Sequence, residues 1–259
     1  MFIFSAFEIM SITKNHILIE IVKDNPLLAS VVDRFGISFS NWTLSIEQAC
    51  EVEKVDVSLL IEMLKAFSEN NYFPAEGLKQ LPIESLIEYL IKTHIYYINS
   101  RLPHIEQFID LLIAQYGNLD LQLYLLKDYF QEYKRDMLEH IRSEERTLFP
   151  YILKLIRASE FENKTSSQIF NLLEKNAITQ FINEHHHVED ELAEIRRRLN
   201  NYSEANNHKV QTATLFFELR MFELDLFTHS KVEDEILIPR AKEIESNLKS
   251  ELLSKAKLN

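Results

Sequence analysis

The chain has 259 residues, with 28 basic and 40 acidic side chains and a formal net charge of −12 at pH 7. The apolar fraction of 46% excludes a disordered protein, because it is large enough to form a core. Only 3 glycines are present, which favours long helices over β-rich folds that use glycine in turns. The negative charge argues against a nucleic-acid partner. One cysteine excludes an internal disulfide and any metal site built from several cysteines.

The first ten residues, MFIFSAFEIM, are apolar but include Glu8 and no basic residue. A secretory signal begins with positive charge and continues with a longer apolar core. No run of 18 apolar, uncharged residues suited to crossing a bilayer occurs. We therefore expect a cytoplasmic protein with no membrane partner. Translation from Met10 is an open alternative, which would make residues 1–9 an artefact of the assigned start.

Residues 1–70 are predicted to form a small helical domain, and residues 71–82, which contain two prolines and a glycine, are predicted to be a linker. The segment 26–35 is amphipathic and ends at Gly36, a residue type common just after a helix. This pattern predicts a short helix that stops at the glycine.

Two further helix starts are visible in this part. Ser45 and Gln48 fit a capping box, in which each side chain bonds the backbone N–H of the other residue. Apolar residues between Val57 and Phe67 recur at helical spacing, and Asp56 is suited to cap that helix.

The pattern of long helical stretches in residues 83–247 predicts an all-α, up-down-up-down four-helix bundle. A C-terminal tail is predicted at 248–259. Short polar segments separate the long helices, whose predicted ranges are 83–115, 119–157, 167–200 and 209–247. Proline interrupts α-helical hydrogen bonding. We therefore expect Pro103 to kink the first helix, and Pro150 and Pro239 to bend or end the second and fourth.

An internal repeat lies in the second and fourth predicted helices. Residues 140–150 read HIRSEERTLFP and residues 229–239 read HSKVEDEILIP, 89 residues apart. Each has His, then Glu four residues later, and proline at position ten. Each is also preceded by a histidine about one helix upstream, namely His94 and His185. The chain therefore contains two helix pairs of matching pattern, which can converge on one point of a bundle.

Residues four apart share a helix face, so each repeat can direct one imidazole and one carboxylate into the core. Burying ionised carboxylates without compensation is very costly, and bound cations would remove that cost. Two cations, bridged by the two glutamates and each with two histidines, account for the whole set. Imidazole and carboxylate ligands suit iron, manganese or zinc. The predicted ligands are His94, His140, Glu144, His185, His229 and Glu233.

These motifs, with EHHH at residues 184–187, resemble the hemerythrin-type cation-binding domain. More narrowly, the chain resembles the di-iron proteins that repair iron–sulfur clusters, the repair of iron centres family. The resemblance implies a non-haem di-iron centre, two oxo- or hydroxo-bridged iron ions, and chemistry with nitric oxide or dioxygen. It also implies iron–sulfur proteins as acceptors, and it leaves a homodimer open.

The resemblance places the first-helix ligand at His94, although a one-residue shift would put Ile95 there, which cannot bind metal. The two repeated His–Glu pairs take the second- and fourth-helix positions. The third-helix ligand falls among His185, His186 and His187, of which counting back from the following leucine favours His185.

The family commonly has an adjacent Cys-Cys pair in its N-terminal domain. Here Ser40 and Asn41 occupy roughly that position. Cys50 is the only thiol and lies on an apolar helix face, so we interpret it as a small buried hydrophobic residue. A thiol step in cluster repair is therefore weakly supported by this sequence.

Several other residues near the motifs have a possible role at the site, and for three of them two interpretations stay open. Glu189 either orients an imidazole or is solvated. Tyr96 and Tyr97 either belong to the core or hydrogen-bond a bound oxygen species. Phe149 and Ile238 are predicted to pack beneath the metal.

Five polar positions are predicted to lie outside the cluster. Glu145 and Glu235 follow the bridging glutamates but should point to other faces. His16 and His104 are interpreted, with His208, as surface or structural histidines.

Three functions remain open from the sequence. The first is a stress-response protein whose di-iron centre reacts with nitric oxide or dioxygen, or donates iron to damaged clusters. The second is a non-enzymatic module that binds or senses oxygen, nitric oxide or iron. The third is structural or iron storage. No phosphate-binding loop or nucleophile-elbow motif is present.

Overall fold

The computed structural model of the chain describes residues 12–68, 73–118, 121–160, 166–174, 177–184, 195, 197 and 209–257. Within these residues every regular element is helical, and extended backbone pairs only at one bridge between Ile17 and Ser45. The predicted all-α class is thus confirmed. None of the described helices has both the length and the apolar character needed to cross a bilayer. The chain folds as two compact units, Met1–Lys92 and Thr93–Asn259. The domain boundaries at 70 and 83 stay predictions.

The first unit is built from short helices. They are α1 (Leu18–Asp24), α2 (Leu28–Arg34), α3 (Ile46–Glu53), α4 (Val57–Ser68), α5 (Ala75–Lys79) and most of α6 (Ile83–Tyr96). A single 3₁₀ turn, Phe39–Asn41, lies between α2 and α3.

The helix ends of this unit follow the sequence signals. Gly36 has φ of +75° just after α2, a left-handed conformation that glycine adopts at little cost. Ser45 and Gln48 form the predicted capping box, with both bonds 3.2 Å long. The Leu59 backbone N–H donates to Asp56 Oδ1 at 3.0 Å, so Asp56 caps α4 as predicted.

Three long helices dominate the second unit, and each consists of an α-helix, a π-helical segment and a second α-helix. The first runs through α6, Tyr97–Arg101 and α7 (Leu102–Tyr116). The second runs through α8 (Gln122–Ser143), Glu144–Leu148 and α9 (Phe149–Glu160).

The last long helix and the third predicted helix differ from expectation in their extent. The third helix is described only in α10 (Ser166–Leu173), α11 (Ala177–Glu184) and two single helical residues. The last helix runs through α12 (Lys209–Lys231), Val232–Leu237 and α13 (Ile238–Lys257). It passes the predicted end at 247 because the following residues contain no proline or glycine and Leu248 is buried.

None of the three prolines ends its helix. Pro103, Pro150 and Pro239 each lie two residues after the last residue of a π-helical segment. In an α-helix the proline ring clashes with the carbonyl four residues earlier. Here that carbonyl lies inside the π-helical segment in all three cases, where hydrogen bonds span five residues and the turn is wider. The π-helical segments therefore allow the helices to continue through proline.

The core of the second unit has two parts. In one part, α7 packs against α8 and α12 around the fully buried rings of Tyr97, Phe130, Tyr133 and Phe222. In the other part, α9 and α10 pack against α13. The second and third π-helical segments lie along the chain between these two parts, and Glu144, Leu148, Glu233 and Leu237 on them are buried.

We expect the Cys50 thiol to react slowly with alkylating reagents in the folded protein. The residue is 1% exposed, and burial, followed by the charge of Asp56, raises the pKa of the thiol to about 11. The reactive thiolate is therefore scarce at neutral pH and grows as the pH approaches 11. Labelling followed by mass spectrometry at pH 7.5 and pH 10, with a urea-unfolded control, checks this. Native labelling at pH 7.5 as fast as in urea would contradict it.

Candidate metal centre

Four buried polar side chains meet where the long helices change from α to π geometry. His94 lies near the end of α6, and Glu144 is the first residue of the next π-helical segment. His229 lies near the end of α12, and Glu233 lies in the π-helical segment that follows. Each of the four offers one nitrogen or oxygen, and these atoms lie within 4.8 Å of one another.

The Nε2 atoms of the histidines point at the carboxylates and at each other. His94 Nε2 lies 3.1 Å from Glu144 Oε2 and 3.3 Å from His229 Nε2. His229 Nε2 lies 3.3 Å from Glu233 Oε1. Two imidazole nitrogens at this distance can share at most one hydrogen bond, so hydrogen bonding alone does not explain the arrangement.

The spacing of these atoms matches that of ligands around a cation. Histidine nitrogen and carboxylate oxygen bind first-row metals at roughly 2.0–2.2 Å, so two ligands at right angles lie about 3 Å apart. The nitrogen–oxygen and nitrogen–nitrogen distances in the cluster, 3.1 to 3.3 Å, agree with that value. The donor set, two imidazoles and two carboxylates, suits iron, manganese or zinc.

Buried polar atoms without hydrogen-bond partners support the same interpretation. Both carboxylate oxygens of Glu144, Oε1 of Glu233 and Nδ1 of His229 are enclosed and lack a hydrogen bond of ordinary geometry. The exposed fractions of the cluster residues are 5% or less. Leaving such groups uncompensated costs on the order of 1–3 kcal/mol each, and more when they are charged. A bound cation would satisfy them, so the residues present fit a metal.

The two carboxyl groups are driven to different charge states when no cation is bound. For Glu144, burial opposes ionisation, but the imidazoles of His140 and His94 outweigh it and lower the pKa. For Glu233, burial and the nearby Glu144 carboxylate hold the pKa well above its usual range. The site therefore favours the ionised form of Glu144 and the protonated form of Glu233, as expected for two acids in one enclosed site.

The imidazoles of His94 and His229 also differ in the direction of their pKa shifts. Burial disfavours the charged form of His94, but its contacts with Glu144, Glu233 and Glu145 outweigh burial and raise its pKa. Burial, reinforced by the charge of His94, lowers the pKa of His229 to about 3. His229 is therefore neutral at physiological pH, the state in which imidazole binds metal.

Aromatic rings close the cluster from the apolar side. Phe149 stacks on His94 with ring centroids 5.8 Å apart and an interplanar angle of 7°, while its position beneath a metal stays a prediction. Tyr97 meets His229 edge-on at 5.7 Å and donates its hydroxyl to Asp225 Oδ1 at 2.9 Å. Tyr97 is therefore a core residue whose hydroxyl already has a partner.

The structure brings together four of the six predicted ligands and places a fifth beside them. His140 Nε2 lies 2.9 Å from Glu144 Oε1, and its side chain is 12% exposed. Its ring also lies 6.3 Å from that of Phe181 in α11. His185 lies outside the described residues, as do its neighbours His186 and His187, together with Glu189.

The structure also bears on the nearby residues. Ile95 is 52% exposed whereas His94 is fully buried, so the one-residue shift would take the first position out of the cluster. Glu235 faces away from the cluster, 3.9 Å from Lys231, as expected. Ile238 is buried. His104 is 56% exposed, which agrees with its assignment to the surface.

The prediction for Glu145 was wrong. Its Oε1 lies 3.0 Å from Nδ1 of His94, so it points toward the cluster. The prediction assumed α-helical geometry, whereas this part of the chain is π-helical. One signal was present in the sequence, because both copies of the repeat carry an acidic residue at this position, Glu145 and Asp234.

Residues 104–241 match the family described as "Hemerythrin HHE cation binding domain". The match covers more than half of the chain and includes both repeated His–Glu pairs, whereas His94 precedes it. The chain is also 26% identical over 225 residues to "Iron-sulfur cluster repair protein ScdA" of Staphylococcus haemolyticus, covering 86% of this chain and 96% of the relative. It is 25% identical over 154 residues to the protein of the same name from Staphylococcus epidermidis, covering 59% and 69%.

We expect metal binding to stabilise the folded protein through Glu144. A ligand present at 100 times its Kd stabilises the native state by about 2.7 kcal/mol. Thermal unfolding with and without ferrous iron under anaerobic conditions should show a higher Tm for the wild-type protein with iron. In Glu144→Ala the increase should be lost, whereas His104→Ala, a surface histidine variant, should retain it. An equal increase in the Glu144 variant would contradict the assignment.

We expect Pro150→Ala to weaken metal binding without lowering the Tm of the metal-free protein. The substitution restores a backbone N–H and removes the ring clash, a local gain of up to about 3 kcal/mol for an α-helix. The helix can then return to α geometry, which would rotate Glu144 relative to the residues after it. Metal affinity and metal-free Tm should be measured together. Unchanged affinity would show that the π-helical segment does not depend on the proline.

Proposed function

The chain belongs to the hemerythrin HHE cation-binding domain family, as its sequence predicted, and from this we propose that it is a non-haem di-iron protein that reacts with nitric oxide or dioxygen in the repair of damaged iron–sulfur clusters. The observation that carries the proposal is the set of four buried ligands within 4.8 Å of one another. Both carboxylate oxygens of Glu144 and Oε1 of Glu233 are enclosed without a hydrogen bond of ordinary geometry, which a bound cation would compensate.

Each iron position would have its own pair of histidines. His94 and His229, whose Nε2 atoms face each other at 3.3 Å, would hold one iron. His140, beside Glu144, would hold the second together with His185. In this arrangement the third helix completes an up-down-up-down bundle. The two glutamates would be shared between the irons.

The side chains around the cluster have separable roles. Two irons supply one-electron redox steps and an open position for a small diatomic ligand. The carboxylates of Glu144 and Glu233 offset the positive charge in an enclosed site. Phe149 and Tyr97 pack against the imidazoles of His94 and His229 and exclude water from that side, which strengthens electrostatic interactions within the cluster.

The repair role is supported by the similarity to the two proteins named iron–sulfur cluster repair protein ScdA. One of these alignments spans 96% of the relative, so it includes the N-terminal unit as well as the metal-binding unit. On this proposal the partners are nitric oxide or dioxygen and iron–sulfur acceptor proteins, and the protein acts in the cytoplasm.

A binding or sensing module is the second candidate, and one observation favours it. Cys50 is buried with a raised pKa, so it does not provide an accessible thiol. At the position where the family commonly has two cysteines, Asn41 donates its side-chain amide to Glu53 at 2.7 Å. The Ser38 and Ser40 hydroxyls lie 2.9 Å apart. None of these groups can take part in thiol chemistry.

The proposed function is tested by iron content and by recovery of a damaged acceptor. Anaerobically reconstituted protein should contain two irons per chain. It should restore activity to a hydro-lyase whose [4Fe–4S] cluster has been damaged by nitric oxide. His229→Ala should reduce both iron content and recovery, because it removes a buried ligand, while His104→Ala should change neither.

The outcomes separate the candidates. Two irons with cluster recovery support repair. Two irons with a reversible nitric oxide spectrum but no recovery favour the binding module and contradict repair. Failure to take up iron under anaerobic loading would overturn both candidates.

A further inference from the structure

Two consecutive glutamates, Glu144 and Glu145, contact the two ring nitrogens of His94. Nε2 lies 3.1 Å from Glu144 Oε2, inside the cluster. Nδ1 lies 3.0 Å from Glu145 Oε1. The His94 side chain is 1% exposed and that of Glu145 is 37% exposed, so Glu145 reaches the buried ring from the edge of the cluster. Both nitrogens of the imidazole are therefore contacted by carboxylates of the same neighbouring helix.

The π-helical geometry explains how neighbouring residues can do this. Successive side chains of an α-helix point about 100° apart, which would direct the two glutamates to different faces. The segment Glu144–Leu148 is π-helical, and its wider turn reduces the angle between successive residues. Both carboxylates contact the ring of His94 on α6, Glu144 at Nε2 and Glu145 at Nδ1.

The contact with Glu145 has a chemical consequence for His94. A neutral imidazole has one N–H and one nitrogen lone pair, so the nitrogen that lacks the proton is the one that can bind a cation. A carboxylate beside Nδ1 accepts the N–H there and leaves the Nε2 lone pair directed at the cluster. Phe149, stacked almost parallel to the ring, fixes the ring plane. Glu145 fixes its rotation and its tautomer.

His229 lacks an equivalent contact. Its Nδ1 is buried and, among the described residues, has no hydrogen-bond partner. Its Nε2 nevertheless lies 3.3 Å from that of His94. The two histidines that face the same point in the cluster are thus oriented by different means, His94 by a carboxylate and His229 by packing against Tyr97.

We propose that Glu145 is a positioning residue of the metal centre, which accepts the Nδ1–H of His94 and thereby presents Nε2 to the cation. Glu145 itself does not bind the metal. The inference rests on the proposed metal centre and adds to it a residue outside the six ligands.

The test compares Glu145→Ala and Glu145→Gln with matched variants at Glu139. Glu139 is an exposed glutamate of α8, so Glu139→Ala and Glu139→Gln control for the loss of surface charge on the same helix. Removal of a group that orients a metal-binding histidine typically weakens metal affinity about 10–100-fold. We expect a loss of that size for Glu145→Ala and a smaller loss for Glu145→Gln, whose amide oxygen can still accept.

Affinity is measured by chelator competition with ferrous iron and with zinc, and it is accompanied by a direct readout of the ring. In zinc-loaded, ¹⁵N-labelled protein, the long-range ¹H–¹⁵N spectrum reports the tautomer of each histidine. The His94 Nδ1–H, assigned by comparison with His94→Gln, should exchange slowly with water in the wild-type protein. It should exchange quickly in Glu145→Ala.

The results distinguish the possible failures. If the wild-type protein binds neither metal, the proposed centre fails and this inference fails with it. If the wild-type protein binds metal but Glu145→Ala matches Glu139→Ala in affinity and in His94 exchange, the centre stands and the role of Glu145 is overturned. A lower Tm of metal-free Glu145→Ala with unchanged affinity and exchange would show a merely structural role and would also overturn the inference.

Discussion

The second unit depends on one electrostatic constraint, the enclosure of two carboxyl groups and two imidazoles within an apolar core. Desolvating an ionised side chain costs several kcal/mol even after the protein relaxes. In the metal-free chain this cost is offset only partly. Nearby imidazoles lower the pKa of Glu144 and favour its ionised form, whereas burial raises the pKa of Glu233 and favours its protonated form. A cation would remove the cost more completely, because these carboxylate oxygens and imidazole nitrogens would bind it directly. Metal binding and the stability of this part of the fold are therefore linked through the same side chains.

The backbone that carries these side chains departs from ordinary α-helical geometry. The three long helices each change to π-helical geometry near a ligand and resume as α-helices just before a proline. A π turn is less favourable than an α turn and is found mostly at functional sites. Proline makes the α alternative costly at that point, so the penalty for the π turn is reduced. The same arrangement recurs in all three long helices, with each proline two residues after the π-helical segment.

The N-terminal unit shows how much local signals can predict. Gly36, Ser45 and Asp56 end or begin helices where the sequence indicates, because capping depends on residues within one turn of each other. Its chemistry is more limited than that of the second unit. The hydroxyl and amide groups that stand near the expected cysteine pair are engaged with each other and with Glu53. Cys50 is buried in the core of this unit.

The sequence by itself determined the helical class and the family, and it predicted several helix boundaries and the histidines and glutamates of the cluster, because helical periodicity and the repeated His–Glu spacing act over a few residues. It also indicated His94 over Ile95. Only the tertiary structure decided which nitrogen faces which oxygen, how far each ligand is buried, and that Glu145 turns toward His94. The reason is physical. Which way a side chain points depends on the local turn geometry, and the change from α to π is set by proline, packing and the buried charges together. Those interactions join residues 51 to 135 positions apart in the chain, and no short-range pattern records them.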